Sequence, residues 1–324
     1  MGRRLQFATL AAAGLLLATA CGGESLEESD DDAGSGGSGG SNGGGGGGGS
    51  VSITGQNFAG TQLMAAMYTA VLEDAGYDVS ATLVGTRDLY IDDLGSGQYD
   101  VATEYVAGIA DFLNVQANGE DAESITTSDA EETLSALEPL AQEAGITLLE
   151  PSEAADANAY FVTEEFAQEN SLTTLSDLAE LGEPVVLAAA PDCEGRPDCE
   201  AGLEDVYGID IAEVLPLGYG EPATKSAVES GEAQLGQSGT SDGTLGEAGF
   251  VLLEDDMGIQ PAQNLVPAAN TEFIEENEEV ADLLNEISAT LTTEDLAALT
   301  VQVDVERQRP EDVATTYLEE EGLL

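Results

Sequence analysis

Residues 51–86 read VSITGQNFAGTQLMAAMYTAVLEDAGYDVSATLVGT, and this stretch decides the fold class. Val51–Thr54 is predicted to be a short strand, and apolar residues then recur at helical spacing until Gly76 ends the helix. Asp78–Val84 alternates in polarity as a second strand. A strand, a helix and a strand in this order form the repeating unit of α/β proteins.

The same alternation continues along the rest of the chain. Further strands are expected at 99–103, 146–149, 160–163, 185–188 and 250–254, and further helices at 86–95, 127–144, 200–207, 222–231, 271–289, 293–303 and 310–321. We therefore predict an α/β protein with mostly parallel sheets. The part after residue 50 exceeds the usual size of one domain, which favours two lobes.

The composition excludes several classes of function. The 324 residues include 64 Asp and Glu against 7 Lys and Arg, which gives a net charge of −57, and 42% of them are hydrophobic. So little basic charge argues against nucleic-acid binding, which uses Lys and Arg to neutralise phosphates. The absence of His excludes His-based triads and His metal sites. We expect no catalytic residues, no metal and no cofactor.

The first 21 residues are typical of a bacterial lipoprotein signal. Arg3 and Arg4 precede an apolar stretch that is short for a membrane span and ends in small residues directly before Cys21. Cleavage would remove residues 1–20 as a signal peptide and leave Cys21 to carry a lipid. The alternative is an ordinary secretory signal followed by a chance cysteine.

Residues 21–50 are predicted to be a flexible linker. They are rich in Gly, Ser and acidic residues and contain nothing that can bury a core. Such a linker suits a folded domain held close to a membrane through a lipid anchor. The protein is therefore expected to be extracytoplasmic, on the outer face of the cell membrane.

Two cysteines remain in the folded part, Cys193 and Cys199 in the stretch CEGRPDC. An exported compartment is oxidising, so we expect a disulfide between them. The alternative, a metal site with two thiolates, lacks further ligands of the right type.

Four segments of the chain resemble one known family. ITGQNF at 53–58 is similar to an opening "GSKNFTEQ" turn, and GT at 85–86 with LGSGQYDVATEYVAG at 94–108 to a "GT…L..GEID.YPEYTG" stretch. NAYFV at 158–162 is similar to "NTYALAV", and the chain from Arg196 to Val305 follows the family almost continuously. In these segments the chain resembles the substrate-binding proteins of ABC importers for osmoprotectants such as glycine betaine, choline and carnitine.

The resemblance implies a two-lobed periplasmic-binding-protein fold of the Venus-flytrap kind, type II-like, with two hinge crossings near 155–160 and 254–264. Lobe 1 would comprise residues 51–157 and 258–324, and lobe 2 residues 158–257. The solute would lie in the cleft between the lobes, and a transporter permease would read the closure of the cleft.

A quaternary ammonium group has no N–H to donate and is held by aromatic faces. Tyr105 and Tyr160 match the tyrosines of the family motifs "EYTG" and "NTYA", and we expect both to contact the solute, although each also fits a buried core tyrosine. Arg196 lies where the family keeps an arginine, so it is the candidate partner for a solute carboxylate. An ion pair with a neighbouring acid is the alternative for Arg196. Arg87 is a second arginine that can face the cleft, and Tyr219, in the loop LGYGE, is a further tyrosine that can enter it.

The chain departs from the family at three positions. The family's lysine is Gln56 here, its aromatic residue before "STDG" is Gly239, and its tyrosine in "PPYN" is Gln263. Polar residues at these positions and at the strand-to-helix turns are further candidates for solute contact, with loop polarity or helix capping as the alternative. These candidates are Gln56, Asn57, Asp88, Thr240, Asp242 and Gln263.

The resulting hypothesis is a solute-binding lipoprotein that delivers a compatible solute to an ABC importer. The alternatives are a sensory or structural surface lipoprotein with the same fold, a binding protein for a different small polar solute, and an enzyme on a two-lobed scaffold. The strong negative charge suits a protein that works at high salt, where screening softens self-repulsion. That habitat agrees with the uptake of compatible solutes.

Overall fold

The computed structural model describes residues 48–119 and 121–324, which belong to one compact unit. The predicted signal peptide, the predicted lipidation site Cys21 and the linker up to residue 47 lie outside the described residues. The described chain forms two five-stranded sheets with helices packed against them.

Strands and helices alternate through most of the described chain. The strands are β1 (Ser50–Gln56), β2 (Asp78–Val84), β3 (Val101–Tyr105), β4 (Ile146–Leu148), β5 (Asn158–Thr163), β6 (Val185–Ala189), β7 (Ile211–Pro216), β8 (Leu235–Gly239), β9 (Phe250–Leu253) and β10 (Leu265–Asn270). The helices are α1 (Ala59–Asp74), α2 (Ile91–Gly95), α3 (Val106–Asn118), α4 (Ala130–Glu143), α5 (Glu164–Asn170), α6 (Leu175–Glu180), α7 (Glu200–Asp205), α8 (Pro222–Glu229), α9 (Thr244–Glu247), α10 (Thr271–Glu276), α11 (Glu278–Thr290), α12 (Thr293–Asp304) and α13 (Pro310–Glu321).

The first sheet has the strand order β2-β1-β3-β10-β4. Strand β1 runs parallel to both β2 and β3, whereas β10 runs antiparallel to β3 and β4. Every residue of β3 and β10 is buried, as is typical of central strands that are covered on both faces. Helices α1, α11, α12 and α13 contribute to the core on one face of this sheet, and α2, α3 and α4 to the core on the other.

The second sheet has the strand order β7-β6-β8-β5-β9. Strand β6 runs parallel to β7 and β8, and β5 runs antiparallel to β8 and β9. We call the elements around the first sheet the first lobe and those around the second sheet the second lobe. The predicted boundaries at 157/158 and 257/258 stay predictions.

The chain passes between the two sheets twice. It leaves β4 of the first sheet for β5 of the second, and it returns from β9 to β10. The two crossing segments pair with each other at Ala155 and Asn264, and the Asp156 N–H donates to the Gln263 carbonyl at 3.0 Å. These segments therefore form a joined hinge that holds the end of β3 close to the second lobe.

Several details of the sequence prediction are wrong. Helix α3 and strands β7, β8 and β10 are missing from it, and the helix expected at 86–95 is split into a short turn at 87–89 and α2. Each sheet is mixed rather than mostly parallel, because β5 and β10, the first strands after the crossings, insert antiparallel to their neighbours. The helix predicted at 271–289 is broken at Asn277, whose side chain donates to the Phe273 carbonyl (2.8 Å) and ends α10. Strand β1 begins at Ser50, which was expected to be the last residue of the linker.

Cys193 and Cys199 form the predicted disulfide, with Cα atoms 5.3 Å apart. Both cysteines are fully buried in the core of the second lobe, which also contains Tyr160 and Leu203. The disulfide therefore fixes the loop that precedes α7 against that core.

Candidate functional site

Two aromatic rings stack where the first sheet meets the hinge. Phe58 follows β1, and Tyr105 is the last residue of β3; their ring centroids are 5.9 Å apart and the ring planes differ by 19°. Thr61 fixes the turn that carries Phe58, because its Oγ1 donates to the carbonyls of Gln56 (2.6 Å) and Phe58 (2.9 Å). The Phe58 side chain is 40% exposed, whereas Tyr105 is 5% exposed. The pair thus presents one ring to the outside and one to the interior.

The hydroxyl of Tyr105 is buried without a hydrogen-bond partner among the described residues. Burial raises the pKa of Tyr105, and the charge of Asp156 raises it further, with a smaller contribution from Tyr219. The Tyr105 hydroxyl oxygen lies against α1, where a Cβ atom built on Gly60 would be 2.6 Å from it, and the phenol stays uncharged at physiological pH. Six other buried side-chain atoms of the described residues also lack a partner, among them the hydroxyls of Tyr68 and Tyr317. What sets Tyr105 apart is its position beside the exposed Phe58 ring, where a ligand or an ordered water can reach it.

Asp156 lies on the first crossing segment, between the lobes. Its Oδ1 accepts a hydrogen bond from the Ser241 hydroxyl at 2.5 Å, and within the described residues it makes no salt bridge. Burial raises the pKa of Asp156, and the Ser241 hydrogen bond counteracts part of that effect. The result is a half-buried carboxylate that lacks a cationic partner.

Tyr219 approaches Asp156 from the loop between β7 and α8. A Cβ atom built on Gly239 would lie 2.7 Å from the Tyr219 hydroxyl oxygen and 3.1 Å from Asp156 Oδ1. The Tyr219 hydroxyl therefore occupies the space that a side chain at Gly239 would need. Tyr219 is 43% exposed; partial burial of its phenol raises its pKa, and the charges of Asp156 and Asp242 raise it further.

Tyr219, Gly239 and Asp156 line a cavity of about 310 Å³. The cavity is open to solvent and is bounded on its other side by Thr300, Val301 and Asp304 of α12. It thus lies between an element of the first lobe and the turns of the second. Its volume falls within the range of small-molecule sites.

Lys225 and Asp242 form an ion pair in the second lobe beside this cavity, with Nζ and Oδ2 2.7 Å apart. Asp242 also accepts from the hydroxyls of Ser238 (2.6 Å) and Thr244 (2.5 Å). Burial opposes the ionisation of Asp242, but the hydrogen bonds from Lys225, Ser238 and Thr244 outweigh it and lower its pKa. Asp242, a predicted solute contact, is thus fully engaged inside the protein.

Arg87 and Glu104 form an ion pair at the carboxyl end of β3. The Arg87 Nε donates to both Glu104 oxygens, at 3.0 and 2.9 Å, and the Glu104 side chain is completely buried. Glu104 also accepts from the Tyr90 hydroxyl and from the Tyr105 N–H (3.1 Å). The pair therefore positions the backbone of Tyr105 and matches the buried charge of Glu104.

Arg196 and Tyr160, two predicted contacts, lie together in the second lobe beside the disulfide loop. Arg196 donates to both oxygens of Asp198 (2.9 and 2.5 Å) and to Asp192 (2.9 Å). Tyr160 is 1% exposed, and its hydroxyl donates to the Asp198 carbonyl at 2.9 Å. The structure thus gives both side chains partners within the protein, which is the alternative stated for each. Their contact with a solute stays a prediction.

The remaining predicted contacts are dispersed. Thr240 belongs to the hinge, where its Oγ1 donates to the Ala155 carbonyl at 2.7 Å. Asn57 is exposed and accepts from the Gln62 amide at 2.8 Å, and Asp88 is exposed beyond the end of β2. Gln56 and Gln263 are half-buried, at the end of β1 and on the second crossing segment.

Of the predicted contacts, Tyr105 lies with the Phe58, Asp156 and Tyr219 group, and Gln263 is bonded to Asp156 through its backbone. Sequence reasoning missed Phe58 and Asp156. Phe58 stands inside the quoted turn segment ITGQNF, and Asp156 stands two residues before NAYFV in the predicted crossing. Their positions beside two family motifs were the available signal.

Two other features of the described residues bear on function. No group of three or more His, Cys, Asp or Glu side chains there is arranged to hold a metal ion. Within residues 48–119 and 121–324, every helix is too short or too polar to span a bilayer.

Comparison with known proteins shows which family the chain matches. Residues 49–320 match the family described as the substrate binding domain of ABC-type glycine betaine transport systems. The chain is 26% identical over 286 residues to a glycine-betaine-binding protein of Pseudomonas aeruginosa, a match that covers 85% of this chain and 89% of the relative. It is 25% identical over 270 residues to the glycine betaine-binding protein YehZ of Escherichia coli, covering 80% and 87% of the two chains.

Solved structures agree with the fold. Apo YehZ from Escherichia coli superimposes with a TM-score of 0.73 at 22% identity, covering 85% of this chain and 99% of that one. A crystal structure titled as a glycine betaine/carnitine/choline ABC transporter gives a TM-score of 0.72 at 19% identity, covering 84% and 99%. The predicted two-lobed α/β fold is therefore confirmed.

Proposed function

Because the chain belongs to the family of substrate-binding domains of ABC-type glycine betaine transport systems, we propose that it binds a quaternary amine between its lobes for delivery to an importer. Members of this family bind transport substrates and are not enzymes. Glycine betaine, choline and carnitine are the solutes that the proposal covers, and the membrane permease of the importer is the proposed partner.

The observation that carries the proposal is the aromatic group around Asp156. Phe58 and Tyr105 stack in the first lobe, and Tyr219 approaches from the second. Tyr219 and Asp156 line one cavity, in which the Asp156 carboxylate lacks a cationic partner among the described residues. A quaternary ammonium is attracted to aromatic faces by about 0.5–2 kcal/mol for each contact, the larger values applying to desolvated sites. Rings from both lobes would be brought onto one ligand when the cleft closes, and closure is the state that a permease can recognise.

The test is calorimetric titration of the purified chain with glycine betaine, choline and carnitine. We expect saturable binding of at least one of them and a rise in melting temperature in its presence. Phe58→Leu should weaken that binding severalfold with little loss of stability, because Phe58 is 40% exposed. Absence of binding by all three solutes would overturn the proposal.

The matched control is Phe250→Leu. Phe250 and Phe161 form an edge-to-face pair in the second lobe, with centroids 5.0 Å apart, and both rings are buried. Phe250→Leu should therefore lower the free energy of unfolding while leaving solute affinity unchanged. Equal losses of affinity in the two variants would remove Phe58 from the proposed site.

We also propose that Cys21 is lipidated and tethers the domain to the outer face of the cell membrane. The basic, apolar and small-residue order of the first 21 residues supports this. Labelling of cells with radioactive palmitate should mark the wild-type protein, and Cys21→Ser should lose both the label and its place in the membrane fraction. Retention of the label by Cys21→Ser would contradict the proposal.

A further inference from the structure

We infer that Asp156 makes the cleft selective for a quaternary amine of net positive charge, such as choline, over a zwitterion such as glycine betaine. This inference rests on the proposed function, since it assigns the charge class of the solute bound at the same aromatic group.

Among the buried and half-buried acids around the aromatic group in the described residues, Asp156 alone is not paired with a base. Glu104 is matched by Arg87, whose Nε lies 2.9 Å from its carboxylate. Asp242 is matched by Lys225 at 2.7 Å. Asp156 receives only the Ser241 hydroxyl and forms no salt bridge with any described residue. The group therefore carries one unmatched negative charge.

The neighbouring side chains do not supply a counter-charge for Asp156. Tyr105 and Tyr219 are phenols and therefore neutral at physiological pH, and Asp304, an exposed residue that lines the same cavity as Asp156, adds a further acid. A carboxylate removed from water without a partner is costly, and a cation placed beside it offsets that cost. A trimethylammonium group held by the rings would supply that cation.

A zwitterion would bring a second carboxylate into the same group. That carboxylate would need a base that is not already paired. Arg196 is occupied by Asp192 and Asp198, and Lys225 is occupied by Asp242. The rival is Arg87, whose terminal nitrogens donate to no partner among the described residues and lie against Gly108. A betaine carboxylate bound there would reverse the preference.

The experiment compares choline, glycine betaine and 3,3-dimethylbutan-1-ol, the uncharged carbon isostere of choline, by calorimetric titration of three proteins. These are the wild type, Asp156→Asn and the control Asp282→Asn, which removes the same charge from an exposed position on α11. Asn at 156 keeps an oxygen that can accept from Ser241, so the variant retains the hinge contact. Thermal unfolding of each protein checks that it is folded.

The wild type should bind choline at least about tenfold more tightly than glycine betaine, since close charge pairs at interfaces couple this strongly or more. Asp156→Asn should lose about tenfold or more in choline affinity, with glycine betaine changed by less than about threefold. Asp156→Asn should also reduce the difference in affinity between choline and its uncharged isostere. Asp282→Asn should bind every solute with the same affinity as the wild type.

Two outcomes separate the inference from the proposed function. If the wild type binds no quaternary amine, the proposed function fails. If it binds glycine betaine as tightly as choline or more so, the inference is overturned while the proposed function stands. Equal losses of affinity for choline and glycine betaine in Asp156→Asn also overturn the inference. The wild-type preference alone decides the question if Asp156→Asn does not fold.

Discussion

Two regions of the molecule each combine a tyrosine with a charged residue, but they differ in how far these groups are bonded. One is the hinge region around Tyr105 and Asp156, and the other is the disulfide region around Tyr160 and Arg196. In the hinge region the Tyr105 hydroxyl has no partner, and Asp156 has no cation, among the described residues. In the disulfide region the Tyr160 hydroxyl donates to the Asp198 carbonyl, and Arg196 is paired with two acids. In the disulfide region the Gln260 Oε1 also lacks a partner, but the tyrosine and the charged groups there are bonded. The combination of an unbonded tyrosine hydroxyl and a carboxylate without a cation therefore distinguishes the hinge region as the one that can take a ligand.

The largest expected effect is from Tyr105→Leu. Leu keeps much of the buried apolar volume, but it removes the ring that stacks on Phe58 at the end of β3. Because an aromatic face contributes up to about 2 kcal/mol to binding of a desolvated ammonium, we expect roughly a tenfold loss of affinity or more for the bound quaternary amine. Calorimetric titration measures it.

The companion measurement for Tyr105→Leu is the free energy of unfolding from urea denaturation. It shows whether the variant is folded and how much of the effect is structural. If a folded Tyr105→Leu protein keeps an affinity within about twofold of the wild type, Tyr105 has only a structural role. The two regions would then not differ in solute binding.

Much of the fold was predictable because its signals are local. Asp78–Val84 was bounded correctly as β2, and the Pro and Gly at the ends of α13 gave its limits. The family match confirms the resemblance read from the motif segments. The mixed sheets were not predictable from these signals, since the direction of β5 and β10 depends on where the chain enters after crossing.

The site was predictable only in part, for a related reason. Tyr105 and Tyr160 stand in similar strand contexts, and the sequence cannot show that Asp198 supplies a carbonyl to Tyr160. Gly239 indicated a missing aromatic residue, but the approach of Tyr219 to that space depends on a loop far away in sequence. Partners that come from distant segments are set by tertiary packing and leave no local pattern.

A smaller effect is expected from Gly239→Ala. The added Cβ would lie 2.7 Å from the Tyr219 hydroxyl oxygen and 3.1 Å from Asp156, so the Tyr219 ring must shift away from the hinge. We expect a severalfold loss of solute affinity by titration, with the fold intact. The reason is local crowding rather than backbone strain, because Gly239 is not among the residues with positive φ.

The double variant Gly239→Ala with Tyr219→Phe sharpens that result. Removal of the Tyr219 hydroxyl makes room for the new methyl group, so Gly239→Ala should cost less affinity in the Tyr219→Phe background than in the wild type. Strictly additive losses would show that the two positions are independent, and would remove Tyr219 from the role given to it here.

Arg196→Gln should change affinity by less than about twofold for glycine betaine and choline alike, because its guanidinium is occupied by Asp192 and Asp198. The Arg196 side chain is 38% exposed, so loss of its ion pairs should lower the free energy of unfolding by only about 0.2–1 kcal/mol. Titration with both solutes and urea denaturation measure these quantities. A selective loss of glycine betaine would instead establish the carboxylate-binding role predicted from the sequence.

The smallest change in affinity is expected from Tyr160→Phe, and its comparison with Tyr105→Phe separates the two regions by stability. Tyr160→Phe removes a hydrogen bond to the Asp198 carbonyl, which still accepts from the Gln260 amide at 2.8 Å, so the free energy of unfolding should fall by about 0.5–1.5 kcal/mol. Tyr105→Phe removes a hydroxyl that has no partner among the described residues, so it should leave the stability of the solute-free protein unchanged or raise it. Urea denaturation of the two variants without solute measures both. Equal destabilisation by the two changes would mean that the Tyr105 hydroxyl is bonded in the free protein, and the contrast between the two regions would then be lost.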